Sequence, residues 1–445
     1  MNLAIHCGRL LDVATGEVGV DRVLHVDDAG RVAGVGGPGD GQRDDATTLD
    51  LDGLTVLPGF IDTHSHLIGD VQTAGVPGVE TSEAQDVLTG VRHARETIEA
   101  GFTTVRDLGS FRAFTDTALR DAIDRGDVVG PRMQCAGAFI TSPWGGGDVV
   151  GLARDIELPE SLRFGVVRSA DDVRERVRRL LIGGADLIKC IGTGAVLTRG
   201  GVPGAPELSE EQMRTAVEEA ALYDAFVAIH AHGAEGAKRA IRAGARSVEH
   251  GSYLDDEAIA MLVDTGTFYS TDIYDGEWAL EHGDAEGWPA GTMRKLRESQ
   301  VSAERVFRAA HERGVQIVFG TDSGVYPHGL NGHQFASYVR LGMTPLEAIR
   351  TSTVVAAACL GWDDRVGSLN VGRFADLVAV EGDPLTDVRV LERPVVVVKG
   401  GQVVLDRRTG AGGASPTHDL RPVRPWYGLG SAGSGGGTEI AGANG

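Results

Sequence analysis

Eight short apolar runs recur through the middle of the chain: "FIDTHSH", "FTTVRD", "RMQCAG", "LIKCIG", "FVAIHAH", "SVEHG", "FYSTDIY" and "QIVFGTD". Stretches of helical period lie between them, and alternation of this kind predicts βα units and a parallel sheet. "SADDVRERVRRLLIGG" and "SEEQMRTAVEEAALYDA" each begin with a small polar residue, Ser169 or Ser209, ahead of acidic residues and an amphipathic period. That is the start signal of a capped helix. Eight such units predict an α/β fold whose centre is a (β/α)8 TIM barrel. No repeat of 20–50 residues runs through the chain, which excludes a solenoid.

The two ends follow a different pattern. "LAIHCGRLLDVATGE", "DRVLHVDDAGRVAGVG" and "TTLDLDGLTVLPG" read as short strands punctuated by Gly and Asp, and so do "ADLVAVEG" and "PVVVVKGGQVVLD". Gly400-Gly401 is a hairpin turn signal. Neither end has enough strands to bury a core alone. The expected organisation is a small β-sandwich domain formed from both chain ends (1–57 and 359–408) with the barrel (58–358) inserted. Residues 409–445 form a Gly/Ser-rich tail that cannot offset its ordering entropy. "RPWYG" within it offers Trp426 and Tyr427 as docking side chains.

Hydrophobic residues at 42% and charged residues at 24% describe an ordinary globular protein. A formal charge of −21 argues against nucleic acid and anionic membrane as partners. Cys7, Cys135, Cys190 and Cys359 lie far apart without a CxxC pair, as expected of thiols in a reducing compartment. No basic segment leads into a long apolar stretch at the start, and no apolar run approaches the ~18 residues a bilayer crossing needs. A cytoplasmic protein is expected.

Metal-type side chains collect at the C-terminal ends of the eight runs. His64 and His66 close the first, Lys189 ends the fourth, and His230 and His232 end the fifth. His250 closes the sixth and Asp322 the eighth. The corresponding rim of a barrel is where active sites are built. One histidine on an apolar run is ordinarily a satisfied core residue. Seven such residues at matching ends of five strands are poorly explained by packing. His230 and His232 share a face, so spacing alone leaves open which of them is a ligand.

An HxH on the first strand, Lys on the fourth, His on the fifth and sixth and Asp on the eighth resemble the amidohydrolase superfamily. "VLPGFIDTHSHL", "GFTTVRDLGS", "SVEHGSYLDDEAI", "FGTDSGVYPHGLN", "GMTPLEAIRTSTVVAAACLG" and "VGSLNVGRFADLVAVEGDPLTDV" narrow this to its imidazolonepropionase-like branch. That branch includes metal-dependent Xaa-Pro and Xaa-Arg dipeptidases and ochratoxinase-type amidases. The resemblance covers about residues 1–405. It implies two divalent metal ions, taken as Zn²⁺, held by His64, His66, Lys189, His230, His250 and Asp322. By the family pattern the first histidine of the fifth run binds metal, and His232 then supports a ligand or faces substrate. It further implies that Lys189 is carboxylated by CO2, since an ammonium between two dications would be repelled. Burial beside cations makes the neutral amine accessible for that reaction.

Such a site would lower the pKa of a shared water and hydrolyse an amide by attack of a metal-bridging hydroxide. Asp322 would be the catalytic general acid/base. Candidate substrate-binding residues are His232, Tyr274, Trp144 and His328. Arg106 and Asp107 read as an internal ion pair bracing the barrel mouth. "TSPWGGGD" lacks the Lys-Ser/Thr ending of a phosphate loop and reads as a loop over the site. Relatives commonly carry a histidine after the glycine pair there, and its absence puts dipeptide specificity in doubt. "YDGEWALEHGDAEGWPAGTMRKL", with Tyr274, Trp278 and Trp288, reads as a lid or an aromatic substrate wall or, equally, as packing to the barrel rim. The expected partners are a small-molecule amide or dipeptide and further copies of the chain in a homo-oligomer. Two competing readings are a mononuclear cyclic-amide hydrolase or deaminase, which Lys189 opposes, and a non-catalytic binding protein, which the filled ligand positions oppose.

Overall fold

The computed structural model of the 445-residue chain describes residues 3–408 apart from 39, 41–46, 70–78, 80, 154 and 199. The tail expected over 409–445, with Trp426 and Tyr427, lies outside the described residues.

Eight parallel strands follow the eight apolar runs. They are β1 (Phe60–Ser65), β2 (Phe102–Asp107), β3 (Arg132–Cys135), β4 (Ile188–Ile191), β5 (Val227–Gly233), β6 (Ser247–Tyr253), β7 (Phe268–Thr271) and β8 (Ile317–Phe319). β1–β3 form one ladder in the order 1-2-3, and β4–β8 form another in sequence order. Two seams join the ladders. Thr321 N and Asp322 N donate to His64 O at 3.1 and 2.8 Å, and His66 N donates to Ser323 O at 2.9 Å. On the opposite side Ile140 N donates to Lys189 O and Ile191 N to Ile140 O, both at 2.8 Å. The result is a closed (β/α)8 barrel. The first seam places Asp322 beside the histidines of β1, and the second anchors the backbone of Lys189.

The helices start as their sequence signals require. Ser169 and Ser209 each accept a hydrogen bond from the N3 backbone, and Asp172 and Gln212 return one to the cap, forming capping boxes. The helix Val354–Leu360 crosses position 359 and packs against Ile61 of β1 and Val318 of β8.

Strands from both ends share one seven-stranded sheet, in the order Gln402–Asp406, Val396–Lys399, Leu377–Glu381, Thr47–Pro58, Leu3–Leu11, Val18–Val26, Val32–Gly36. Leu377–Glu381 runs antiparallel to Thr47–Pro58 and joins the two ends, whereas Leu3–Leu11 pairs parallel to Thr47–Pro58. The sheet closes as a small sandwich over Ile5, Leu24, Leu51, Val56, Leu377 and Val396. Gly400 and Gly401 turn the last hairpin with φ of 55° and 75°, values that L side chains adopt only under strain.

Candidate metal centre

All six residues of β1 are buried, and the buried His64 projects from it at the C-terminal mouth of the barrel. Asp62, two residues earlier, fixes that mouth. Its Oδ1 accepts from the backbone N–H of His64 and Thr321, both at 3.1 Å. Its Oδ2 accepts from Thr321 Oγ1 at 2.5 Å and Asn331 Nδ2 at 2.9 Å. Burial pushes the Asp62 carboxyl up to about 6 in spite of these bonds. Across the seam, Asp322 Oδ1 lies 3.4 Å from His64 Nε2 and 3.2 Å from His66 Nε2.

Four of the five histidines give Nδ1 to the protein. His64 Nδ1 meets Glu249 Oε2 at 2.9 Å, and His66 Nδ1 meets Gly109 O at 2.8 Å. His250 Nδ1 meets Asp272 Oδ2 at 2.8 Å, and His232 Nδ1 meets Ser252 Oγ at 2.9 Å. This is the orientation that frees Nε2 for a metal. His230 is different: its Nε2 is buried and has no hydrogen-bond partner among the described residues. The ring centroids of His230 lie 4.4 Å from those of His250 and 4.6 Å from those of His232, and His64 to His250 is 4.8 Å. Donor atoms of His230, His232 and His250 lie within 4.8 Å of one another, as do those of His64, His250 and Asp322. An orphaned buried nitrogen costs about 1–3 kcal/mol, and a cation at this point would supply its missing partner. The donor set fits divalent metal ions. Both His230 and His232 reach the cluster, so the geometry keeps both in play.

Lys189 is only 1% exposed, and nothing among the described residues hydrogen-bonds or ion-pairs with its Nζ. Burial, only partly opposed by Glu249 and Asp322, brings its amine down to about 8. Burial likewise lowers His64 and His232 to about 3 and His230 well below the ordinary imidazole value. All three are neutral, as ligands must be. Burial also pulls on His66 and His250, but Asp322 and Asp272 reverse the direction and raise them. For Asp322, burial is outweighed by His64 and His66, so its carboxyl stays well below the usual range.

Two of these residues carry backbone strain. His250 has φ 68° and Asp322 φ 55°, left-handed values unusual outside glycine. Tyr269 Oη braces the first through His250 O at 3.0 Å, and Val325 N braces the second through Asp322 O at 3.1 Å. Gly320 lets β8 approach β1: a Cβ there would stand 2.1 Å from Ser270 Oγ and 2.8 Å from His64 Cβ.

The predicted ligands and His232 all open onto one cavity of about 940 Å³. The remaining candidates do not join its wall. Tyr274 stacks on His333 and meets Tyr326 edge-on, Trp144 is 79% exposed, and His328 is buried behind β1. His328 stacks on His93 at 4.2 Å, with Nε2 3.1 Å from His66 O. Gly146 and Gly147 of the glycine loop do line the cavity, as does Trp288 of the segment after β7. That segment is mostly helical, forming Ile273–His282 and Ala290–Glu312.

Sequence reasoning missed Glu249 and Asp272, the Nδ1 partners of two histidines. The signals were present, since Glu249 precedes His250 in "VEHG" and Asp272 directly follows the strand within "FYSTDIY". The ion pair expected of Arg106 exists, but with Glu249 at 2.8 Å. Asp107 instead accepts from the backbone N–H of Leu67 and Gly109. Glu249 is held ionised: burial would raise it, and Arg106 and His64 bring it well below the usual range.

Comparison with known proteins agrees with this architecture. The family model for the amidohydrolase family matches residues 55–404, and the chain belongs to that family. It is 31% identical over 367 residues to ochratoxinase of Aspergillus niger, covering 78% of this chain and 75% of that protein. It is 27% identical over 377 residues to imidazolonepropionase of Micrococcus luteus, covering 81% and 88%. A crystal structure of a Xaa-Pro dipeptidase with bound methionine in the active site superposes with a TM-score of 0.85 at 35% identity, covering 91% of this chain and 99% of that one. The protein is a hydrolase of carbon–nitrogen amide bonds. No helix among the described residues is long and apolar enough to cross a membrane.

Proposed function

We propose that the protein hydrolyses the amide bond of a dipeptide or an N-acyl amino acid with the help of two divalent cations, most simply zinc. His64, His66 and Asp322 would hold one ion and His230 and His250 the other, with Lys189 between them. The observation that carries this reading is the buried, partnerless Nε2 of His230 within a cluster of neutral imidazoles. When bound, the ions supply Lewis acidity to the scissile carbonyl and to the attacking water.

The chain's own residues supply the rest. Lys189 reacts as the free amine with CO2, forming an N–C bond and releasing a proton, so that a carbamate replaces a repelled ammonium. Asp322, ionised at neutral pH, takes the proton of the attacking water and passes it to the leaving nitrogen. Glu249 and Asp272 hold the rings of His64 and His250 in the tautomer that presents Nε2. His232 faces the substrate from the cavity wall. The four cysteines, all buried and unpaired, suit a reducing, cytoplasmic setting.

The test is turnover of a panel of Xaa-Pro, Xaa-Arg and N-acyl amino acids by zinc-loaded protein. Hydrolysis should be detected and should vanish in Asp322→Asn, whereas its persistence there would rule out this proton path. The relationship to an imidazolonepropionase favours a second reading, a single metal acting on a cyclic amide or amidine. One tightly bound zinc per chain, rather than two, would support it.

A further inference from the structure

Among the described residues, the Lys and Arg side chains that line the main cavity are Arg112, Lys189, Arg294 and Lys295. Lys189 belongs to the metal centre, and Arg112 pairs with Asp86 at 3.2 Å. Arg294 and Lys295, neighbours on the helix Ala290–Glu312, have no carboxylate partner among the described residues. The chain holds 63 Asp and Glu against 42 Lys and Arg, so acids were available to pair with them. Lys295 is nonetheless held in place. Its Nζ donates to Thr198 O at 2.9 Å and to Val196 O at 3.3 Å, which sets the ammonium where the helix meets the segment after β4. Thr198 Oγ1 in turn donates to Gly146 O of the glycine loop at 3.2 Å. Two of the three ammonium hydrogens are thus spent on neutral carbonyls, and the third has no acceptor among the described residues. Burial, and then Arg294, lower the pKa of this amine, with no carboxylate acting against them. Val196 and Leu296 beside it are buried, and Trp288 lines the same cavity. An apolar surround strengthens a charge pair by keeping water away.

We propose that Lys295 and Arg294 are specificity-determining residues that receive the free carboxylate of the amino acid released by hydrolysis. The proposal rests on the amide-hydrolase reading above and narrows it. Neither cation contacts a residue of the metal centre among the described residues. A carboxylate held by them therefore leaves the metal centre to the scissile amide. The charge also orients the substrate, with its amino acid half toward the helix Ala290–Glu312. Capping the carboxylate as a carboxamide would leave both cations without a counter-charge. Dipeptides and N-acyl amino acids that end in a free carboxylate are therefore the favoured substrates, ahead of their carboxamides.

The test compares zinc-loaded wild type with Lys295→Gln, Lys295→Arg and Arg294→Gln on matched pairs, each dipeptide or N-acyl amino acid beside its C-terminal carboxamide. Release of the acyl half is followed, so that both members report the same bond. Wild type should favour the acid in kcat/KM by about tenfold or more, the worth of a charged hydrogen bond. Lys295→Gln keeps a donor for Thr198 O but removes the charge. Its preference should fall to within threefold, through KM and at equal zinc content. Lys295→Arg should keep most of the preference, and Arg294→Gln should narrow it about threefold. A lysine that only straps the helix to the loop would slow acid and carboxamide alike, and equal losses on both would overturn the proposal. So would a wild type indifferent to the pair. Calorimetric binding of N-tosyl-leucine and N-tosyl-leucinol, sulfonamides that amide hydrolysis leaves intact, gives a readout without turnover. Wild type should bind the acid at least tenfold tighter, and Lys295→Gln should bind the two within threefold. A tenfold preference that survives in Lys295→Gln would put the carboxylate elsewhere and sink the inference. Hydrolysis without acid preference defeats this inference alone. Absence of amide hydrolysis, beside an N-tosyl-leucine preference that Lys295→Gln abolishes, defeats only the reading beneath it. Should Lys295→Gln fail to fold, an unchanged preference in Arg294→Gln overturns the proposal by itself.

Discussion

Glu249→Gln separates the two tasks of the charge beneath the metal centre. Glu249 and Arg106 are both fully buried, joined at 2.8 Å. Arg106 further donates Nε to Thr63 O at 2.5 Å and Nη1 to Ser247 Oγ at 3.1 Å. Glu249 also holds His64 Nδ1. Removing the carboxylate charge leaves Arg106 as an uncompensated buried cation, at about 3–5 kcal/mol. With an unfolding entropy of about 2.1 cal/mol/K per residue, a chain of 445 residues then loses about 3–5 °C in Tm. Loss of the His64 contact should weaken zinc binding by about 10–100-fold. Arg106→Met with Glu249→Met removes both charges, and should recover most of the stability but not the zinc affinity. Calorimetry of metal-free protein and zinc titration against a chelator would measure both. The experiments belong near pH 7: the lowered pKa of Glu249 means its stabilisation is present above an unfolded value of about 4.5 and lost as pH falls through the folded one. A Glu249→Gln melt within 1 °C of wild type, or a double variant no better than the single, would refute the reasoning.

Gly320→Ala should displace His64 or Ser270, since the new methyl has nowhere else to go. Zinc affinity and activity should each drop about tenfold or more, and adding Ser270→Gly should restore part of both. In metal-free protein, unfolding lets His64, His230 and His232 protonate as pH falls from about 6.5 toward 3, a loss of about 4 kcal/mol per pH unit near pH 4–5 for three protons. The buried carboxyls of Asp62, Asp107 and Asp116, raised in the folded state, oppose it there, and His66 and His250, raised, act only above that range. His232→Leu should therefore make the urea-unfolding profile shallower by about 1.4 kcal/mol per pH unit across pH 4–5, and an unchanged slope would contradict the assignment. Lys189→Met should bind less zinc per chain than wild type by elemental analysis, and an unchanged content would remove Lys189 from the centre.

The sequence made the barrel legible because strand period and helix caps are local. The run ends also exposed the histidines, Lys189 and Asp322, since strands of a barrel finish on one rim. The residues that orient those ligands were harder to read. Arg106 meets Glu249 across 143 positions and His64 meets Glu249 across 185, with no periodicity to reveal either pairing. Sequence alone offers His328 as a substrate-binding candidate. Its stacking on His93 and its bond to His66 O turn it behind β1 instead. Trp144 shows the same limit, since loop direction depends on contacts that local pattern does not encode.

Anomalous diffraction from zinc-loaded crystals tests the central claim most directly. Two anomalous peaks are predicted at the barrel mouth, one against His64, His66 and Asp322 and one against His230 and His250, with extra density joining Lys189 Nζ to both. A single peak, or zinc bound away from these side chains, would contradict the account.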